Sequence, residues 1–376
     1  MKPEKDEAIE IYVHIPFCVK KCAYCDFYSH PADEVRMDAY FHMLTEEISL
    51  YPYTGREVSS VFFGGGTPSI VKAERISGLL QKLRQEYRIR EDAEITIEMN
   101  PGTVTAEKLR IYRNAGINRL SIGLQSASDQ MLKRLGRIHT FRDFSDTFRM
   151  ARAEGFQNIS LDLISGLPQE TPAAFEESLK KALSFEPEHI SVYALIIEEN
   201  TPFYELYGPS GSERTLLPDE DTERESVYLA ERILKSAGYD KYEISNYAKP
   251  GFESRHNLGY WTGVPYLGFG AAAASCINGM RFRNASNDDY LSFPYEECEV
   301  LSKEDQMSEM MILGLRLVKG VSLSAFRVRF DVDPLEKYGP VIEKYRSLGA
   351  LALSGDRLFL TSYGMDTANI VMADFM

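Results

Sequence analysis

The stretch YVHIPFCVKKCAYCDFYSH, Tyr12–His30, carries Cys18, Cys22 and Cys25 in the pattern C-x3-C-x2-C. Thiolates so close together suit a metal or a metal cluster. Structural zinc wants four ligands, usually as two separated pairs, and the chain has no second C-x2-C. Catalytic zinc needs only three, but two or three thiolates at this spacing without a nearby histidine pair are unusual for it. An iron–sulfur cluster ordinarily takes four thiolates, so three would leave one iron open to a small molecule. On a helix Cys18 and Cys25 would stand about 10 Å apart along the axis, too far to grip one compact group. The segment must therefore curl as a loop, which Pro16 permits. The other cysteines, Cys276 and Cys298, read as ordinary buried or half-buried thiols.

Such a loop needs a scaffold, and six β-branched or aromatic runs supply one: IYVHI (11–15), VSSVFF (58–63), ITIEM (95–99), RLSI (119–122), ISLDLI (159–164) and HISVYAL (189–195). Helix-compatible segments lie between them, Asp33–Leu50, Ala73–Tyr87, Thr105–Asn114, Phe141–Glu154 and Thr171–Phe185. Thr171-Pro172 and Thr105 with Glu107 read as helix starts. Strands joined by helical crossovers run parallel, so the expected fold class is α/β, a partial (β/α)6 barrel. In such barrels the loops at the C-terminal strand ends build the site. Here they carry the cysteines, Gly64-Gly65-Gly66-Thr67-Pro68, Glu98-Met99-Asn100-Pro101, Gly123-Leu124-Gln125-Ser126, and Asp162 with the Gly166-Leu167-Pro168 turn.

From Pro218 the pattern changes. A helix over Asp219–Ala237 precedes the aromatic and glycine-rich HNLGYWTGVPYLGFGAAAAS, which is no obvious barrel unit. Beyond Lys303 come helices and then a hairpin in ALALSGDRLFLTSYG, a winged-helix-like α+β module. The expected domains are the barrel over residues 1–217, a connecting segment over 218–300 and the C-terminal module over 301–376.

In 376 residues, 42 Lys and Arg oppose 56 Asp and Glu, a net charge of −14, which argues against an extended nucleic-acid surface. The charged start MKPEKDEAIE lacks a signal-peptide core, and no run of about 18 apolar residues appears, so a cytoplasmic location is expected.

C-x3-C-x2-C after a first strand, with GGGTP after the second, resembles the radical S-adenosylmethionine (SAM) superfamily. The resemblance implies a [4Fe-4S] cluster on Cys18, Cys22 and Cys25, whose open iron is chelated by the amino and carboxylate groups of SAM. An electron from the cluster would then split the sulfonium into methionine and a 5′-deoxyadenosyl radical. Gly64, Gly65 and Gly66 would let backbone approach the methionine end. YVHIPFC, GGGTPS, LQS, DLISGLP and the C-terminal module further resemble the oxygen-independent coproporphyrinogen III oxidases and their relatives. That likeness places Tyr12, Gly66, Thr67, Glu98, Gln125, Arg137 and Asp162 on SAM-contacting positions.

The oxidase branch carries C-x3-C-x2-C-x-C behind an N-terminal extension. This chain has Phe27 at the last cysteine and eleven residues before Tyr12. Its H-N-x-x-Y-W stretch, His256–Trp261, instead resembles the signature of the haem chaperone branch, HemW. The resemblance implies a radical SAM-type haem carrier that serves an apo-haemoprotein, an acceptor of the respiratory chain, with no coproporphyrinogen oxidation. Coproporphyrinogen III oxidase, using the 5′-deoxyadenosyl radical, is the alternative. Haem is expected at His256, Tyr260 and Trp261, near the open mouth of the barrel, with Arg255, Arg281 and Arg283 to pair its propionates. A transient contact with a membrane protein and a homodimer are the further partners considered; RNA modification is disfavoured by charge.

Overall fold

The computed structural model describes residues 8–51, 55–292 and 295–376. Six parallel strands form its centre: β1 (Ile9–Ile15), β2 (Glu57–Gly65), β3 (Arg88–Met99), β4 (Arg119–Gln125), β5 (Ile159–Ser165) and β6 (His189–Ala194). Each pairs in parallel with the next. In β1 the period of two is plain: Ile9, Ile11, Val13 and Ile15 are fully buried in the main apolar core, while Glu10, Tyr12 and His14 share the opposite face.

Helices α1 (Glu34–Leu50), α2 (Ala73–Glu86), α3 (Ala106–Ala115), α4 (Asp129–Arg134), α5 (Phe141–Ala153) and α6 (Pro172–Leu183) alternate with these strands. Asp33, Thr105 and Thr171 cap α1, α3 and α6, each side chain accepting a first-turn backbone N–H. The short α4, in the loop after β4, was not expected. Then follow α7 (Pro202–Tyr207) and α8 (Glu220–Ser236).

The segment expected as a connector is part of the sheet. β7 (Asp240–Lys241) and β8 (Asn246–Ala248) extend it antiparallel beyond β6. After α9 (Arg255–Thr262), the chain crosses to the other edge. There β9 (Tyr266–Phe269) lies parallel to β1, and β10 (Ala274–Ile277), β11 (Met280–Arg283) and β12 (Glu297–Val300) continue antiparallel. The result is a twelve-stranded sheet in the order β12-β11-β10-β9-β1-β2-β3-β4-β5-β6-β8-β7. Tyr247, Leu267, Phe269 and Tyr290 join the same core as β1–β6, so residues 218–300 share its burial instead of bridging two units.

The C-terminal module has a separate core around Met311, Phe326, Leu358 and Val371. It runs α10 (Lys303–Leu315), β13 (Val321–Ser322), α11 (Leu323–Phe330), α12 (Pro334–Lys337), α13 (Gly339–Ser347), β14 (Leu351–Ser354) and β15 (Arg357–Leu360), with sheet order β13-β15-β14. Among the described residues no helix is long and apolar enough to cross a membrane.

Candidate functional site

The cysteine loop leaves β1 and is tied off at its base. His30 N donates to Pro16 O at 2.8 Å and Cys18 N to His30 O at 3.1 Å. A carboxylate from far along the chain secures the exit: Asp288 accepts the Tyr28 hydroxyl at 3.1 Å, bonds His30 Nε2 at 2.8 Å and pairs with Arg36. Inside the loop, Cys25 N donates to Cys22 O at 3.3 Å, and Ala23 N reaches Leu135 O at 3.0 Å. All three thiols are partly exposed. Burial pushes the Cys25 thiol up to about 11, so a metal must displace its proton. The described residues contain no Cys, His, Asp or Glu group gathered tightly enough for a single ion. The fit that matters is to a polynuclear cluster, in which each thiolate takes its own iron. Cys276 is half-buried and Cys298, against expectation, is exposed.

The loop roofs a cavity of about 410 Å³ within the barrel, lined by the three cysteines, Gly65, Gly66, Thr67, Glu98, Gln125, Arg137 and Asp162. Glu98 accepts Gly65 N at 3.1 Å; burial, with the Asp162 charge adding to it, raises its carboxyl to about 8. Asp162 accepts Ser121 Oγ at 3.1 Å and is likewise raised by burial. Arg137 donates to Asn100 Oδ1 at 2.6 Å and Gly123 O at 2.7 Å, and its Nη1 lies 3.6 Å from Cys22 Sγ. Asn100 in turn donates to Thr67 Oγ1 at 2.8 Å, itself 3.5 Å from Cys18 Sγ. Cysteine loop, GGGTP turn and β3 loop are thus cross-linked by Thr67, Asn100 and Arg137.

Gln125 has φ +67°, uncommon for a side-chain-bearing residue, at a register irregularity between β4 and β5. Gly123 makes room there, since a Cβ would stand 2.8 Å from Gln125 Nε2 and 2.9 Å from Arg137 Nη2. Asn100 and Gly123 stand in two of the loops expected to build the site, though the sequence assigns neither a role of its own. The available signal was their place at strand ends.

Two of the residues expected at SAM stand beside this cavity, with a Cβ on Gly64 falling 3.1 Å from Glu98 Oε2. Tyr12 and Gly64 do not line this cavity; Tyr12 bonds His14 Nδ1 at 3.0 Å and opens onto a neighbouring cleft of about 640 Å³. A Cβ on Gly64 would meet the Tyr12 ring at 2.9 Å, so this glycine accommodates a side chain of the protein itself.

The expectation of His256 at the barrel mouth is overturned. The HNLGYW stretch is helix α9, which stops the opposite, N-terminal end of the barrel. Glu94 of β3 accepts Arg255 N and His256 N, both at 3.2 Å, satisfying the helix's free N-terminal donors. His256 is 2% exposed and stacks on Phe62 with centroids 5.0 Å apart. Ser60 Oγ lies 2.8 Å from its Nδ1 and the Tyr260 hydroxyl 3.1 Å from its Nε2. Burial drives its pKa down to about 3, so the imidazole is neutral. Gly259 lies directly over Glu10, where a Cβ would stand 2.1 Å from the carboxylate. Trp261 faces the C-terminal module, with Arg316 4.2 Å above its ring. Arg255 binds Asp92 O, and Arg281 pairs with Glu299 and Glu309, so neither is grouped with His256.

A parallel barrel whose first strand ends in a three-cysteine loop over a polar, carboxylate-lined cavity defines a protein of the radical SAM class. Residues 12–182 match the Radical SAM superfamily and residues 301–366 the HemN C-terminal domain. The chain is 36% identical to the heme chaperone HemW of Bacillus subtilis (strain 168), over 97% of this chain and 98% of that one. It is 42% identical to the heme chaperone HemW of Escherichia coli (strain K12), over 70% and 69%. The chain belongs to the HemW family of the radical SAM superfamily. Coproporphyrinogen III oxidase (HemN) from Escherichia coli shares the fold, with a TM-score of 0.85 at 22% identity, over 100% of this chain and 91% of that one.

Proposed function

We propose that this protein is a haem chaperone that binds haem and passes it to an apo-haemoprotein of the respiratory chain, meeting that membrane-bound acceptor transiently. Cys18, Cys22 and Cys25 hold a [4Fe-4S] cluster. Glu98, Gln125, Arg137 and Asp162 face SAM across the 410 Å³ cavity. Bound together, cluster and SAM would supply one-electron chemistry at the sulfonium. The residues around them bind and orient: Arg137 braces Cys22 from the β4 side, and Asp162 and Glu98 offer acceptors to a ribose or an ammonium.

The observation that carries the chaperone reading is Phe27. It stands 65% exposed on the cavity rim, where the oxidase pattern has a further cysteine. Full-length similarity to proteins named heme chaperone HemW supports it, while likeness to the oxidase supports only a common fold.

The test uses anaerobically reconstituted protein. The expected result is stoichiometric haem binding, transfer to an apo-haemoprotein, and no protoporphyrinogen from coproporphyrinogen III with SAM and dithionite. Porphyrinogen turnover without haem retention would establish the oxidase reading instead.

A further inference from the structure

The cleft of about 640 Å³ that Tyr12 lines lies between the cysteine loop and the β9–β11 edge of the sheet, and nothing above assigns it an occupant. Its volume is within the ordinary range of small-molecule sites. Tyr12, Tyr28, Tyr260 and Tyr266 supply ring faces and edges, while Ala272 and Ala274 expose nothing larger than a methyl group. The sequence run GFGAAAAS, unexplained by strand pairing alone, makes that bare surface. Such a site suits a broad flat molecule, which gains from aromatic contact and would be obstructed by larger residues at those two alanines. Two cations line the cleft, Lys21 and Arg283. Arg283 uses Nη2 for Glu296 and Glu297, whereas its Nε is buried with no hydrogen-bond partner among the described residues. The Arg283 side chain is nevertheless 39% exposed, and Lys21 has no ion pair among the described residues, so a carboxylate entering the cleft would meet both cations.

We propose that this cleft seats the haem, with the macrocycle against Ala272 and Ala274 among the four tyrosines and its carboxylates at Arg283 and Lys21. The inference rests on the chaperone reading and names the place where the cargo lies. It also gives the HNLGYW histidine a different task. His256, with both ring nitrogens engaged, does not reach the cleft; it holds the Tyr260 hydroxyl, and Tyr260 meets Tyr266 edge-on at 4.7 Å to form the cleft wall. His256 is therefore a positioning residue. On the other side of the Tyr260–Tyr266 wall a smaller cleft of about 330 Å³ contains Cys276 and Met310, but its Arg281 is already paired with Glu299 and Glu309. Lys21, Asp26, Phe27 and Ser29 border both the haem cleft and the SAM cavity, so the two ligands are neighbours in separate chambers.

The experiment is a haem titration followed by absorbance on reconstituted protein, with iron content and SAM binding as controls for folding. Ala274→Phe, which fills the alanine surface, and Arg283→Gln should each weaken haem binding by about tenfold or more. Both should leave iron content and SAM affinity unchanged. Arg283→Gln should lose its effect when the haem carboxylates are esterified. Cys276→Trp, in the smaller cleft, should bind haem normally. His256→Ala should weaken binding and His256→Gln, which can still bond Tyr260, should restore much of it. Normal binding by both Ala274→Phe and Arg283→Gln would overturn this placement, and loss in Cys276→Trp alone would move the haem to the smaller cleft. Failure of the unmodified protein to bind haem would refute the chaperone reading itself.

Discussion

Replacing Gly66 by alanine separates two roles for the GGGTP turn. Sequence reasoning assigned its glycines to close approach of SAM. In the structure, a Cβ on Gly66 would point at the protein's own cysteine loop, 2.8 Å from Phe17 O, 3.0 Å from Phe17 N and 3.0 Å from Cys18 Sγ. Two of these atoms are backbone, tied to their neighbours by the Cys18 N to His30 O and Thr67 N to Phe17 O bonds, so the loop must move to admit a methyl group. Gly66 is not among the glycines of positive φ, which leaves the cost wholly steric. Overpacking of this kind costs about 1–3 kcal/mol, against about 0.4–1 kcal/mol gained by restricting the unfolded chain. The central values of these ranges leave a net loss of about 1–2 kcal/mol on the cluster-holding geometry, which corresponds to about 5- to 30-fold. Gly66→Ala protein, reconstituted anaerobically, should therefore release iron to a ferrous chelator about 5- to 30-fold faster than the unmodified chain. Unchanged iron release with a selective fall in SAM affinity, measured by calorimetry, would refute the steric reasoning and return the glycine to the ligand.

Alanine at Cys18, Cys22 or Cys25 should abolish iron incorporation, whereas Cys276→Ser and Cys298→Ser should not; total iron per chain is the measurement. Glu10, raised to about 9 by burial, keeps in the folded protein a proton that the unfolded chain sheds near its ordinary pKa. Its contribution is thus fully present below about pH 4.5 and is lost as pH climbs toward 9, so Glu10→Gln should flatten the decline of Tm with pH across that window. Gly78 is an exposed glycine inside α2 with nothing within 4 Å of where a Cβ would stand, and Gly78→Ala should stabilise by about 0.5–1 kcal/mol in urea unfolding.

The elements legible from sequence were those with local causes. Thr105 and Thr171 announce their helices because a cap bonds a backbone N–H three residues on. β1, β2 and β4–β6 appear as apolar runs because one face of each meets the helices, and several of the polar residues singled out at their ends line one cavity. Other features depend on partners distant in sequence. α9 is a short helix secured by Glu94 at its start and by the fit of Gly259 over Glu10, neither of which is readable within HNLGYW. β9 finds β1 across most of the chain, and β3 begins at Arg88, earlier than ITIEM suggests, because Arg88 and Ile89 pair with Glu57 and Val58 on the adjacent strand. A subtler clue was visible: Glu10, Ser60, Glu94, Arg119, Ser160 and His189 are polar residues within otherwise apolar strands, and all are buried. Their number signals a polar barrel interior that extends below the strand-end loops.

The stopper formed by α9 has a kinetic consequence. Glu94 holds its start, His256 reaches Ser60 of β2, and Tyr242 links Ser254 N at 3.3 Å to His189 Nε2 of β6 at 2.8 Å, so the barrel is fastened shut at that end on several strands at once. With that end closed, the cavity of about 410 Å³ is reached from the rim, where Phe27 and Ile196 stand exposed. A macromolecule resting on that rim would slow the exit of a nucleotide already inside and the entry of one arriving later.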